Sequence, residues 1–183
     1  VDDGSTDASL EIISRFARDN PAVVKGIKLT RNFGQQAAIA AGIEAARGDW
    51  VAIISADLQE PYQLIPEMVA HWERGSKFVI GERVYRSEGL FHRGFSSIYW
   101  WLIRRFAFPD FPRMGFDFCL IDRDVATYVT QSAEKNTSIF TLLFWLGFKP
   151  ASVPIGRKNR VGGKSQWTLR KKLNMTVDTL IGF

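Results

Sequence analysis

Short strand-like runs alternate with helical stretches from Val1 to Val84, and this alternation narrows the fold more than any other feature of the chain. Ser5 or Asp7 can cap a helix running through Phe16, with Leu10, Ile12, Ile13 and Phe16 at its apolar positions. Val23 to Thr30 reads as a strand. Gln35 to Ala46 is alanine-rich and helical, stopped by Gly48, and Trp50 to Ile54 is the short apolar run of a buried parallel strand. Pro66 suits the first turn of a helix ending near Arg74 and Gly75, and Lys77 to Val84 is the next strand. The pattern predicts a doubly wound α/β sheet, which binds ligands at the carboxyl ends of its strands. Those ends carry Asp2-Asp3, Arg31-Asn32, Ser55 to Asp57, and Glu82-Arg83.

The 183 residues suffice for one domain with a sizeable core. A hydrophobic content of 46% with 23% charged residues excludes a disordered or fibrous chain. The formal charge of +5 suits anionic partners: phosphates, nucleic acid or an acidic membrane surface. One cysteine, Cys119, forbids an internal disulfide and suits a reducing compartment. No apolar run approaches the roughly 18 residues of a membrane span. Val1 reads as the last residue of a strand, so we expect a fragment that lacks at least one N-terminal strand. The apolar end at Leu180 to Phe183 suggests a cut C-terminus as well.

Beyond Tyr85 the composition changes. Phe91, Phe95, Ile98, Leu102 and Phe106 follow helical spacing on one face, with arginines clustered near both ends of the segment. Residues 88–108 are therefore a candidate membrane-interface helix, its arginines meeting lipid phosphates. Residues 166–183 repeat the theme with Arg170, Lys171 and Lys172 beside Leu169, Leu173, Val177 and Leu180. The competing reading makes residues 88–108 a core helix of a larger domain.

Asp57 and Gln59 stand two apart at the end of an apolar run. In an extended segment both side chains share one side. A carboxylate and an amide oxygen are hard donors that suit Mg2+ or Mn2+, ions that keep waters and share substrate phosphates. The alternative is a turn in which Asp57 caps the following helix.

The stretches VDDGSTDAS, LTRNFGQQAAIAAGI, SADLQEP, GERV, GFDFCLIDR and GGKSQW occur in this order. As a set they resemble the family 2 glycosyltransferases, above all the polyprenyl-phosphate branch that includes dolichol-phosphate mannosyltransferases and bactoprenol glucosyltransferases. The resemblance covers nearly the whole chain. It implies a nucleotide-diphospho-sugar transferase (GT-A) fold, a mostly parallel sheet flanked by helices, as a single catalytic domain over 1–183.

The resemblance further implies that Asp3 contacts the base or ribose of a UDP- or GDP-sugar, with Arg31, Ala56 and Asp57 also on the donor. The family's D-x-D-x-Q element falls on Ser55, Asp57 and Gln59. Asp57 and Gln59 would then hold the Mg2+ or Mn2+ ion, with Ser55 acting indirectly because a hydroxyl replaces a carboxylate. Asp117 matches the acidic residue beside the reacting sugar. Arg83, with Arg160, Lys164 and Ser165, would receive the acceptor phosphate, and Lys158 belongs to the same loop. The implied activity is inverting, metal-dependent sugar transfer to a polyprenyl phosphate at the cytoplasmic face of a membrane. Anionic membrane is then a partner, nucleic acid is not, and a homo-oligomer is left open. Two alternatives stand: the same fold transferring to a saccharide hydroxyl, and a non-enzymatic module that binds phosphate or nucleic acid.

Overall fold

The computed structural model describes residues 1–57, 59–83, 101, 104–105, 108–112, 115–132 and 138–156, in two compact units, Val1–Arg47 and Gly48–Phe183. Of the helix expected over 88–108, only Trp101, Arg104, Arg105 and Phe108 fall within the described residues. The segment 166–183 lies outside them, as do Lys158, Arg160, Lys164 and Ser165.

The first unit holds two helices. In α1 (Ser9–Asp19) the Asp7 carboxylate accepts the Ser9 amide at 3.0 Å, so the aspartate, not Ser5, serves the helix start. None of the residues of α1 is fully buried, and Ile12 and Phe16 stand about half exposed. The second helix, α2 (Gln35–Ala45), follows Gly34 at φ +96° and buries Ile43. The strand expected over Val23 to Thr30 reduces to one parallel bridge between Asp2 and Lys28. Asp2 donates to the Ile27 carbonyl at 2.7 Å, and Leu29 donates to the Asp2 carbonyl at 2.9 Å. A strand exists only through its partner, and within this unit Asp2 is the one residue that pairs with it.

The second unit is built on a four-stranded mixed sheet. β1 (Trp50–Ile53), α3 (Ile65–Glu73) and β2 (Phe78–Arg83) lie where the sequence places them, but β1 is not the buried parallel strand expected: it pairs antiparallel with its one neighbour in the sheet, and only Ile53 is buried. Pro66 sits in the first turn of α3, and Gly75, at φ +99°, ends the turn after it. β3 (Cys119–Asp122), α4 (Arg123–Gln131), α5 (Ile139–Trp145) and β4 (Ala151–Ile155) complete the unit. The strand order is β1-β3-β2-β4. β3 runs antiparallel to both neighbours, whereas β2 and β4 are parallel, so β1, β2 and β4 share one direction.

Both faces of the sheet are covered, which is why β2 and β3 open on the apolar runs Phe78-Val79-Ile80 and Cys119-Leu120-Ile121. On one face Val79, Phe118, Leu120, Val153 and Ile155 pack against Met68 of α3. On the other, Phe78 meets Phe116 and Phe144 with ring centroids 5.8 and 5.7 Å apart. Phe116 and Phe111 continue this cluster, reaching Phe140 and Phe144 of α5.

Candidate functional site

The register of the sheet decides what gathers at its edge. Ile53, the last residue of β1, pairs with Cys119, the first of β3, and Cys119 also pairs with Ile80 of β2. β2 then runs on to Arg83, which pairs with Ile155 at the end of β4. The turn after β1, the end of β2 and the turn before β3 therefore lie on one edge. They bring Asp57, Arg83 and Asp117 to it.

After β1 the chain turns at Ala56 and Asp57 instead of running on extended, so the same-side argument for Asp57 and Gln59 does not apply. An Asx turn does the work: Asp57 Oδ1 accepts the Gln59 amide at 3.2 Å and folds the chain back over the carboxylate. Nor does Asp57 cap the next helix, since Pro61 precedes the single 3-10 turn Tyr62–Leu64 with no side-chain cap. Ser55, Asp57 and Gln59 are each half-buried, and Ala56 is exposed. Glu60, in the same stretch, is a carboxyl residue with only 2% exposure. The signal for it in the sequence is an acidic residue one place beyond Asp57's turn and directly before Pro61.

Among the described residues no group of three or more His, Cys, Asp or Glu is close enough to hold a metal ion. The donor set at the turn still fits Mg2+ or Mn2+ in kind: a carboxylate, an amide oxygen and a hydroxyl, all hard oxygens. With one formal charge it suits an ion that arrives with diphosphate and keeps waters, not an all-protein cage.

Asp117 follows Gly115, whose φ of +65° makes the turn into β3, and it sits between the buried Phe116 and Phe118. Phe116 is locked into the aromatic cluster, so the turn that carries Asp117 is anchored from below. The Arg83 guanidinium donates through Nη2 to Asp117 Oδ2 in an ion pair. Two residues on, Cys119 is fully covered, and burial, with the Asp117 charge nearby, pushes its thiol far up. It stays a neutral thiol and takes no part as a nucleophile.

In the first unit Asp3 serves as a clasp. Its two carboxylate oxygens accept the amides of Phe33 and Gly34 at 2.7 and 2.8 Å. Gly4, at φ +71°, lets the turn come against the 31–32 backbone: a Cβ there would stand 2.7 Å from Arg31 C and Asn32 N. Arg31 is exposed, with its guanidinium 4.7 Å from the centre of the Phe33 ring. Asp2, only 3% exposed, accepts the Ser5 amide at 3.3 Å and belongs to the turn's framework.

Comparison with known proteins gives this arrangement its context. The family described as Glycosyl transferase family 2 matches residues 1–128. The whole chain aligns at 36% identity with an uncharacterized glycosyltransferase, YkcC, of Bacillus subtilis, covering 57% of that protein. It aligns at 32% with a prophage bactoprenol glucosyl transferase homolog of Escherichia coli and with the bactoprenol glucosyl transferase of Shigella phage SfV, covering 60% of each. The chain thus spans somewhat over half the length of these relatives. Its mixed α/β sheet flanked by helices agrees with the GT-A fold expected from the ordered motifs. By that match the chain belongs to glycosyl transferase family 2.

Proposed function

We propose that the protein moves one sugar from a UDP- or GDP-sugar to a membrane-held polyprenyl phosphate, with inversion at the anomeric carbon. The observation that carries the reading is the sheet edge of the second unit, which bears the Asp57 turn together with the Arg83–Asp117 ion pair. Relatives named for bactoprenol glucosyl transfer support the choice of acceptor.

Each residue then has a task. Asp57 and Gln59 would hold Mg2+ or Mn2+, with Ser55 reaching the ion through water. When bound, such an ion neutralises charge on the departing diphosphate. Asp3 keeps acceptor lone pairs beyond those used by Phe33 and Gly34, enough to receive a ribose hydroxyl or a base N–H. Arg31 and the exposed Ala56 are further donor contacts. Arg83 positions the acceptor phosphate, helped by Arg160, Lys164 and Ser165.

An acceptor oxygen attacks the anomeric carbon from the side opposite the diphosphate. The new C–O bond forms as the old one breaks, and the leaving nucleoside diphosphate keeps the electron pair. A phosphate monoester has a second pKa of about 6 and is already anionic at neutral pH, so it needs no general base. Asp117 accordingly orients the sugar or the acceptor. The basic, aromatic segments 88–108 and 166–183 would hold the catalytic face against an anionic bilayer on its cytoplasmic side.

Labelled nucleotide sugars supplied to the full-length protein with polyprenyl phosphate vesicles test this directly. Label entering the organic phase with Mn2+, and lost on chelation, is the expected result. Label appearing on a saccharide moves the reading to a hydroxyl acceptor. Donor binding without any turnover reduces the protein to a phosphate-binding module.

A further inference from the structure

We propose that Asp117 and Arg83 form an exchange pair: the carboxylate holds the guanidinium until a phosphate group takes its place there. The inference rests on the reading of Arg83 as the acceptor-phosphate contact. Three observations support it.

The first is position. Arg83 closes β2 and Asp117 lies just before the neighbouring antiparallel β3, so the pair joins two strands at the edge where the site gathers. The second is cover. The Arg83 side chain is 13% exposed and that of Asp117 33%, so the cation is the better shielded partner and the anion the more replaceable one. The third is unused donor capacity. The pair engages Nη2, while Arg83 Nε is buried and has no hydrogen-bond partner among the described residues. A phosphate monoester brings three oxygens and the fork geometry that a guanidinium binds best, so it can engage Nη2 and Nε together.

The consequence is that Arg83 already faces a carboxylate before any phosphate arrives. Stray anions gain little by entering, because each must displace a carboxylate already in place. The correct phosphate does so and in the same event ends the hold of Arg83 on Asp117, which then turns toward the reacting groups. Acceptor binding and assembly of the site become one step, without any movement of the sheet.

Titration calorimetry on the full-length protein in detergent, with a short-chain prenyl phosphate as the probe, tests the exchange. Asp117→Asn removes the competitor and is expected to bind the probe about fivefold tighter, the scale of a partly exposed ion pair. Asp117→Glu keeps the charge and is expected to bind as the unmutated protein does. Binding by Asp117→Asn that is equal or weaker overturns the exchange and leaves the acceptor reading standing. Tightening by Asp117→Glu also overturns it, because charge is then not the cause. A gain seen with a nucleoside diphosphate but not with the prenyl phosphate assigns Arg83 to the donor and overturns it too. Failure of all three proteins to bind the prenyl phosphate removes the acceptor reading, and the exchange with it.

Discussion

A single carboxylate, Asp122, closes three contacts at the sheet edge remote from the candidate site. It accepts Trp72 Nε1 at 2.7 Å, Lys77 Nζ at 2.8 Å and the Asp124 amide at 3.0 Å, the last as the cap of α4. Burial works to raise its pKa, but the Lys77, Trp72 and Asp124 contacts outweigh it and hold the carboxyl below its ordinary 3.8. A folded-state pKa below the unfolded one adds stability above the unfolded value, and that stability is lost as pH falls through the folded value. Lys77 has the opposite sign: the Asp122 and Asp124 contacts raise it, so its contribution fades only as pH climbs past its ordinary 10.5. Asp122→Ala is expected to cost roughly 2–3 kcal/mol, from the lost cap and the stranded indole N–H. Asp122→Asn should cost less and flatten the fall in urea midpoint between pH 5 and 3. An Asn variant with an unchanged acid slope would show that the titrating group lies elsewhere. At this scale the sequence made strand-end residues visible, because polar groups interrupt apolar runs there: Asp57 and Arg83 stood out, and both lie on the expected edge. The partnership of Arg83 with Asp117 was not visible. It joins residues 34 apart, and only the antiparallel placement of β3 brings them together.

Among the elements, α2 and α3 were legible from alanine content and from Pro66 with Gly75, and β1 and β2 because polar residues mark where their short apolar runs stop. β3, β4 and α5 were not, since a run such as Cys119-Leu120-Ile121 or Phe140 to Trp145 is apolar all round and names no partner. The misread stretch Val23 to Thr30 makes the converse point: strand composition alone forms no strand where only Asp2 pairs with it. Inside β2 one position is set by its neighbour strands. A Cβ on Gly81 would lie 3.0 Å from the Phe118 ring and 3.2 Å from Ile155, tighter than ordinary packing. Gly81→Val is therefore expected to destabilise the second unit by about 1–3 kcal/mol through overpacking, and Gly81→Ala by less. Thermal melts of both variants check this. A valine variant that melts with the unmutated protein would mean that Phe118 and Ile155 move aside at little cost.

For the molecule as a whole, the membrane is the open partner. No helix among the described residues is long and apolar enough to cross one. Reversing the charge of Arg93, Arg104 and Arg105 is expected to release the protein from anionic liposomes, since each basic residue near such a surface contributes about 1 kcal/mol. Unchanged sedimentation with those liposomes would make residues 88–108 a core helix. The fold also supplies its own gauge of opening. The chain has one thiol, Cys119, sealed in β3 beneath Asp117 and kept protonated by its surroundings. A thiol-reactive dye can reach it only when the strand detaches, so the labelling rate counts those excursions. A ligand that bridges the strand ends should slow the clock, and labelling as fast as that of a free peptide would mean the seal is not there.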